Sequence, residues 1–133
     1  MGKIRVGFVG VGSMGQCAHL RNYIRVPDCE IAAIAEIRRD LGRRVAARYD
    51  IPKVYTDFRE MLSRERLDGI VASQPFNRHG ILLPEILRTR LPVFIEKPLA
   101  ASVETGRRIV EAAESAGTWI MVGYHKRSDP AVM

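Results

Sequence analysis

Gly10-Val11-Gly12-Ser13-Met14-Gly15 is a G-x-G-x-x-G turn. Alone the pattern is weak; here it directly follows a short apolar run, Ile4–Val9, and opens a stretch of helical composition, the context that gives it chemical meaning. Gly10 permits the tight turn. Gly12, lacking a Cβ, lets a pyrophosphate approach the backbone, and Gly15 lets helix and strand pack closely. The amides opening the helix, at Ser13 and Met14, offer free N–H groups and partial positive charge to phosphate. Glu36 lies 21 positions after Gly15, at the end of a second apolar run. A carboxylate there can accept from both hydroxyls of an adenosine ribose and repels a 2′-phosphate, which favours NAD. Arg38 and Arg39 follow at once, and an arginine at that place could accommodate the phosphate, so NADP use is left open.

These residues need elements to hold them. β-Branched and apolar runs at 4–9, 30–36, 54–55, 67–72, 92–95 and 119–122 read as six strands. Between them, 13–25, 38–49, 57–63, 77–89 and 102–116 read as helices. Asp57 caps the third, and Ser102 opens the last, which stops before Gly117. Ile81, Leu82, Ile86 and Leu87 are expected to form the apolar face of the fourth. The strands are nearly continuous in apolar residues rather than alternating, which means burial on both faces, as in a parallel sheet covered by helices. The pattern predicts a doubly wound α/β fold. In such sheets ligands bind at the carboxyl ends of the strands. Three polar segments follow strands there: Ser73-Gln74-Pro75-Phe76-Asn77-Arg78-His79, Glu96-Lys97-Pro98, and Gly123 to Arg127. All three are expected to converge beside the glycine turn.

In combination, the Gly10–Gly15 turn, Glu36, Pro75-x-x-x-His79, Glu96-Lys97-Pro98 and the Gly-aromatic-x-basic-Arg127 tail before Asp129-Pro130 resemble the N-terminal half of a Gfo/Idh/MocA-family oxidoreductase. The resemblance covers essentially the whole chain. It implies a Rossmann fold with strand order 3-2-1-4-5-6 and nicotinamide chemistry, a hydride moving between NAD(P) and a carbinol carbon of a sugar, polyol or related alcohol. It also implies that Lys97 is the active-site lysine, whose ammonium would stabilise alkoxide charge or shuttle the proton. Glu96 matches a cofactor-edge contact or an orienting partner of Lys97. Pro98 is expected to follow a cis peptide. Ser73, Gln74, Phe76, His79 and Arg127 match positions near cofactor or substrate, His79 divided between such a role and helix capping. The chain departs from the common family pattern at Gln74-Pro75-Phe76 and at His125-Lys126-Arg127, which leaves the substrate undefined.

The resemblance further implies a second, substrate-binding domain without counterpart here. Asp129-Pro130 has the form of a helix start, an N-cap with proline at the first helical position. The expected organisation is therefore an NAD(P)-binding domain over 1–123 and, over 124–133, the start of a connection onward. The chain alone should bind cofactor with little turnover, and full-length relatives of this kind are expected to be homo-oligomers.

Composition is that of an ordinary globular domain. The chain has 133 residues, 47% hydrophobic and 27% charged, a length that buries a core without disulfides or metal. No apolar run approaches a membrane span, and the N-terminus lacks the apolar run of a signal peptide. Val6 stands where myristoylation of Gly2 would need Ser or Thr. Cys17 and Cys29 are not at metal-ligand spacing and are expected to be buried or half-buried thiols, consistent with a reducing cytoplasm. No metal is expected. The net charge is +6, and 17 of the 21 basic residues are arginine. Arg38, Arg39, Arg43, Arg44 and Arg48 should line the solvent face of one helix, with Leu41, Val45 and Tyr49 inward. Without a recognition motif or interleaved aromatics, nucleic acid is not an expected partner. The competing functional class is a non-catalytic NAD(P)-binding sensor or scaffold, against which the Glu96-Lys97 pair argues.

Overall fold

A computed structural model describes residues 2–132. Six strands, β1 Ile4–Val9, β2 Cys29–Ala35, β3 Val54–Tyr55, β4 Gly69–Ala72, β5 Val93–Ile95 and β6 Ile120–Val122, form one parallel sheet in the order 3-2-1-4-5-6. This is the doubly wound Rossmann order expected from the sequence. The chain divides into two compact units, Met1–Ser73 and Gln74–Met133.

In the first unit, β1 lies between β2 and β4. Val6, Phe8 and Val9 of β1, all of Ile31–Ala35, and Ile70–Ala72 are buried, the double-sided burial that their unbroken apolar runs predicted. Helix α1, Arg21–Tyr23, is entered through a π-helical turn, Gly15–Leu20. Gly15, His19 and Leu20 face the core there, leaving Met14 and Cys17 exposed. Cys17 therefore departs from the expected buried or half-buried thiol, because the wider turn rotates it outward; Cys29 is half-buried. Helix α2, Arg39–Tyr49, buries Val45 and Ala46, and its arginines are exposed as its periodicity required. Helix α3, Phe58–Arg64, is capped by Asp57, whose carboxylate accepts from the Arg59 amide at 2.9 Å.

In the second unit, a 3₁₀ turn at Phe76–Arg78 leads into α4, His79–Leu87. His79, Leu82, Leu83, Ile86 and Leu87 are buried. Those positions repeat at the three- and four-residue helical spacing, which leaves Ile81 on the opposite face, 66% exposed. The inward residue is Leu83, not Ile81 as the composition suggested. Helix α5, Val103–Ala116, starts at Ser102, whose hydroxyl accepts from the Thr105 amide at 3.1 Å, and stops at Gly117 with φ +67°. Ser102→Ala should cost about 1 kcal/mol, read as a lower urea midpoint with unchanged slope. After β6 the chain makes a 3₁₀ turn, His125–Ser128, absent from the sequence reading. Asp129 then accepts from the Ala131 amide at 2.9 Å, but the described residues that follow, 130–132, form a turn and not the helix start expected of Asp-Pro; a short Asp side chain bonding two residues on closes such a turn by itself. Among the described residues no helix is long and apolar enough to cross a membrane.

Candidate cofactor site and lysine loop

The glycine turn and Glu36 are brought together within the first unit. Gly10 has φ +86°, a conformation that only glycine adopts freely. A Cβ on Gly15 would lie 3.0 Å from the Gly10 carbonyl oxygen, so the helix approaches the turn too closely for a side chain. Among the described residues a Cβ on Gly12 would meet only the Arg38 guanidinium, at 3.5 Å. The turn is therefore closed beneath and open above Gly12, where the movable end of the Arg38 side chain lies. Gln16 braces it, donating from Nε2 to the Val11 carbonyl at 2.9 Å.

Glu36 is 4% exposed, yet its carboxylate is fully engaged. Oε2 accepts from the Val11 amide at 3.0 Å; Oε1 accepts from the Arg38 amide at 3.1 Å and from Arg38 Nε at 2.7 Å. Burial by itself pushes this carboxyl up. The Arg38 side-chain hydrogen bond, the two amides and the guanidinium charge outweigh burial and hold it below its ordinary value of 4.5. A depressed carboxyl keeps its contribution above the ordinary value and loses it only as pH falls through the lower, folded value. In the free chain Glu36 should thus titrate below an ordinary glutamate, staying ionised as pH is lowered from 8 toward the ordinary carboxylate range; a carboxyl-detected NMR titration checks this.

Ser73 follows β4 and donates its amide to the Val9 carbonyl at 3.0 Å, and its Oγ would lie 3.5 Å from a Cβ on Gly15. It stands at the foot of the turn, as expected. Ser13 and Met14 are exposed at the opening of the helix. The set fits a dinucleotide: a cradle that Cβ atoms would fill, exposed residues Ser13 and Met14 at a helix start, and an ionised carboxylate at the end of β2. Arg38, expected near a 2′-phosphate, instead spends its Nε on Glu36, while its guanidinium stays largely exposed.

The second unit gathers the remaining candidates. The Lys97–Pro98 peptide is cis, as the sequence predicted. Lys97 is exposed, and its amide donates to Glu96 Oε2 at 3.3 Å; Glu96 thus sits beside Lys97. His79 neither caps a helix through its side chain nor lies at the surface. It is 1% exposed, with Nδ1 2.8 Å from the Leu99 carbonyl oxygen and Nε2 3.2 Å from that of Gln74. Gln74 takes part through its backbone, Phe76 is 46% exposed, and Arg127 is exposed. Two contributors escaped the sequence reading. Val11 orients Glu36 through a backbone amide, which carries no side-chain signal. Tyr124 reaches the lysine loop with its hydroxyl, 3.4 Å from the Leu99 amide; its signal was its place directly after the glycine ending β6. Among the described residues no cluster of His, Cys, Asp and Glu is placed to hold a metal.

A parallel 3-2-1-4-5-6 sheet with a glycine turn after β1 and an acid after β2 defines an NAD-binding Rossmann domain. Residues 4–124 match the model of the oxidoreductase family with NAD-binding Rossmann fold, and the chain belongs to this family, Gfo/Idh/MocA. It is similar to inositol 2-dehydrogenase of Rubrobacter xylanophilus, 33% identical over 96% of this chain and 37% of that protein. An NAD binding oxidoreductase from Klebsiella pneumoniae superposes with a TM-score of 0.86 at 27% identity, over 98% of this chain and 36% of the other. WlbA dehydrogenase from Bordetella pertussis, solved with NADH and UDP-GlcNAcA, shares the fold, with a TM-score of 0.90 at 24% identity over 98% of this chain and 39% of the other. The chain thus spans about 37% of the length of the curated relative described.

Proposed function

We propose that this chain is the NAD-binding, lysine-bearing part of a dehydrogenase acting on a polyol or sugar alcohol. NAD supplies the hydride acceptor when bound. Gly12 and the Ser13 and Met14 amides receive the pyrophosphate, and Glu36 accepts from the adenosine ribose once Arg38 releases Oε1. Lys97 places an ammonium beside the reacting oxygen, steadying negative charge there and exchanging the proton. Glu96 fixes the lysine's backbone. The observation that carries the reading is that one chain holds both an intact dinucleotide cradle, in its first unit, and an exposed lysine whose backbone is held, in its second; a pure binder has no use for the lysine.

The inositol dehydrogenase relative supports an inositol as the first substrate to try. The chain should quench or enhance NADH fluorescence saturably, and excess duplex DNA should not compete. Alone it should show little turnover, the substrate contacts residing in the additional length that relatives carry. The full-length gene product should reduce NAD with myo-inositol or a related polyol. NADH binding without turnover on any member of a polyol and sugar panel would favour the sensor reading instead.

A further inference from the structure

We propose that His79 and Tyr124 are positioning residues for Lys97, acting through a clamp on the Leu99 peptide. The inference rests on the reading of Lys97 given above. Leu99, two residues past Lys97, is held at both ends of its backbone. Its carbonyl faces His79 Nδ1 at 2.8 Å, and its amide faces the Tyr124 hydroxyl at 3.4 Å. The two clamping side chains come from different places in the second unit: His79 opens α4, and Tyr124 follows β6.

Each is itself anchored. His79 is anchored by burial, at 1% exposed. Both ring nitrogens face backbone carbonyl oxygens, Nδ1 that of Leu99 at 2.8 Å and Nε2 that of Gln74 at 3.2 Å, and the shorter contact places an N–H toward Leu99. Tyr124 donates its amide to the Val122 carbonyl at 2.8 Å. The preceding Gly123 donates to Ile95 at 2.9 Å, and a Cβ on Gly123 would come within 3.0 Å of the Phe94 ring. A glycine lets the chain pass this closely by β5 without displacing the Phe94 ring.

Lys97 is thus bracketed. On one side its amide is tied to Glu96, which directly follows β5. On the other, Pro98 has its φ fixed by the ring, and Leu99 is clamped. Between these points the backbone has few soft torsions. Among the described residues no hydrogen bond or ion pair holds the Lys97 ammonium. A fixed backbone beneath an open head group is what a residue reserved for a bound molecule requires.

The test uses amide hydrogen exchange on the 133-residue chain and steady-state kinetics with NAD and myo-inositol on the full-length product. Tyr124→Phe keeps the ring and removes only the acceptor, which avoids the folding risk of changing buried His79. It should speed exchange of the Leu99 amide about tenfold, with Val93–Ile95 within about twofold. In the full-length product, Tyr124→Phe and His79→Ala should lower kcat, by up to about 10²-fold for the histidine, while the NADH dissociation constant stays within about twofold. His79→Asn, which retains an N–H donor, should recover part of the loss. Unchanged Leu99 exchange, uniform acceleration through β5 and α5, or native kcat in both variants where Lys97→Met is inactive would overturn the clamp. Native turnover in Lys97→Met would instead bring down the reading of Lys97, and with it the positioning role, even where the exchange data show Leu99 held.

Discussion

Lys97→Met is expected to lower NAD-dependent turnover of the full-length product by about 10³-fold, within the range for removing a positioned acid–base group, while NADH affinity changes less than about twofold. Methionine keeps the length and apolar stem of lysine and deletes the charge. The ammonium is exposed and unpaired among the described residues, so folding should not suffer. The glycine turn, Glu36 and their hydrogen bonds belong to the other compact unit, so the cofactor cradle should be untouched. Stopped-flow hydride transfer and NADH titration separate the two effects. A parallel fall in affinity and rate would mean that Lys97 serves binding rather than chemistry.

Glu36→Gln should shift the ratio of NADH to NADPH affinity by about 10²-fold toward NADPH, since hydrogen bonds to a charged group contribute about 1.5–3 kcal/mol each. The native carboxylate accepts from Val11, from the Arg38 amide and from Arg38 Nε. Glutamine keeps one carbonyl oxygen, so it cannot hold both sides of that arrangement. Its NH₂ would face a donor, Val11 or Arg38. The repulsion of a 2′-phosphate disappears at the same time, and the Arg38 guanidinium, released from its partner, becomes free to meet that phosphate. Fluorescence titrations with both reduced cofactors measure the shift. An unchanged ratio would show that Glu36 does not discriminate between them.

Much of this was legible in the residues. Strands β1 and β3 begin and end where their apolar runs do, and the arginine face of α2 followed from Leu41, Val45 and Tyr49. Asp57 and Ser102 cap as their chemistry dictates. The glycine turn and Glu36 were readable because a motif whose function depends on missing side chains leaves its mark in composition. What escaped depended on three-dimensional neighbours. Ile81 and Leu83 are interchangeable in composition, and only the phase of α4 decides which turns inward. The π-helical turn that exposes Cys17 changes the period by one residue, which no short pattern reveals. His79 stands out in sequence by its spacing from Pro75, but the groups it faces are backbone carbonyls, which every residue possesses; sequence cannot say which carbonyl an imidazole will find.

The exposed arginines of α2 have a consequence in time rather than in structure. Arg39, Arg43, Arg44 and Arg48 are solvated and add little to folding, whereas Arg38, also exposed, bonds the buried Glu36 carboxylate. The residue that precedes their helix, Arg38, has its guanidinium beside Gly12. A row of guanidinium groups starting there lowers the electrostatic work of bringing an anionic pyrophosphate from solution to the turn. The excess positive charge speaks to how quickly a dinucleotide arrives, and that speed should fade as salt screens the approach.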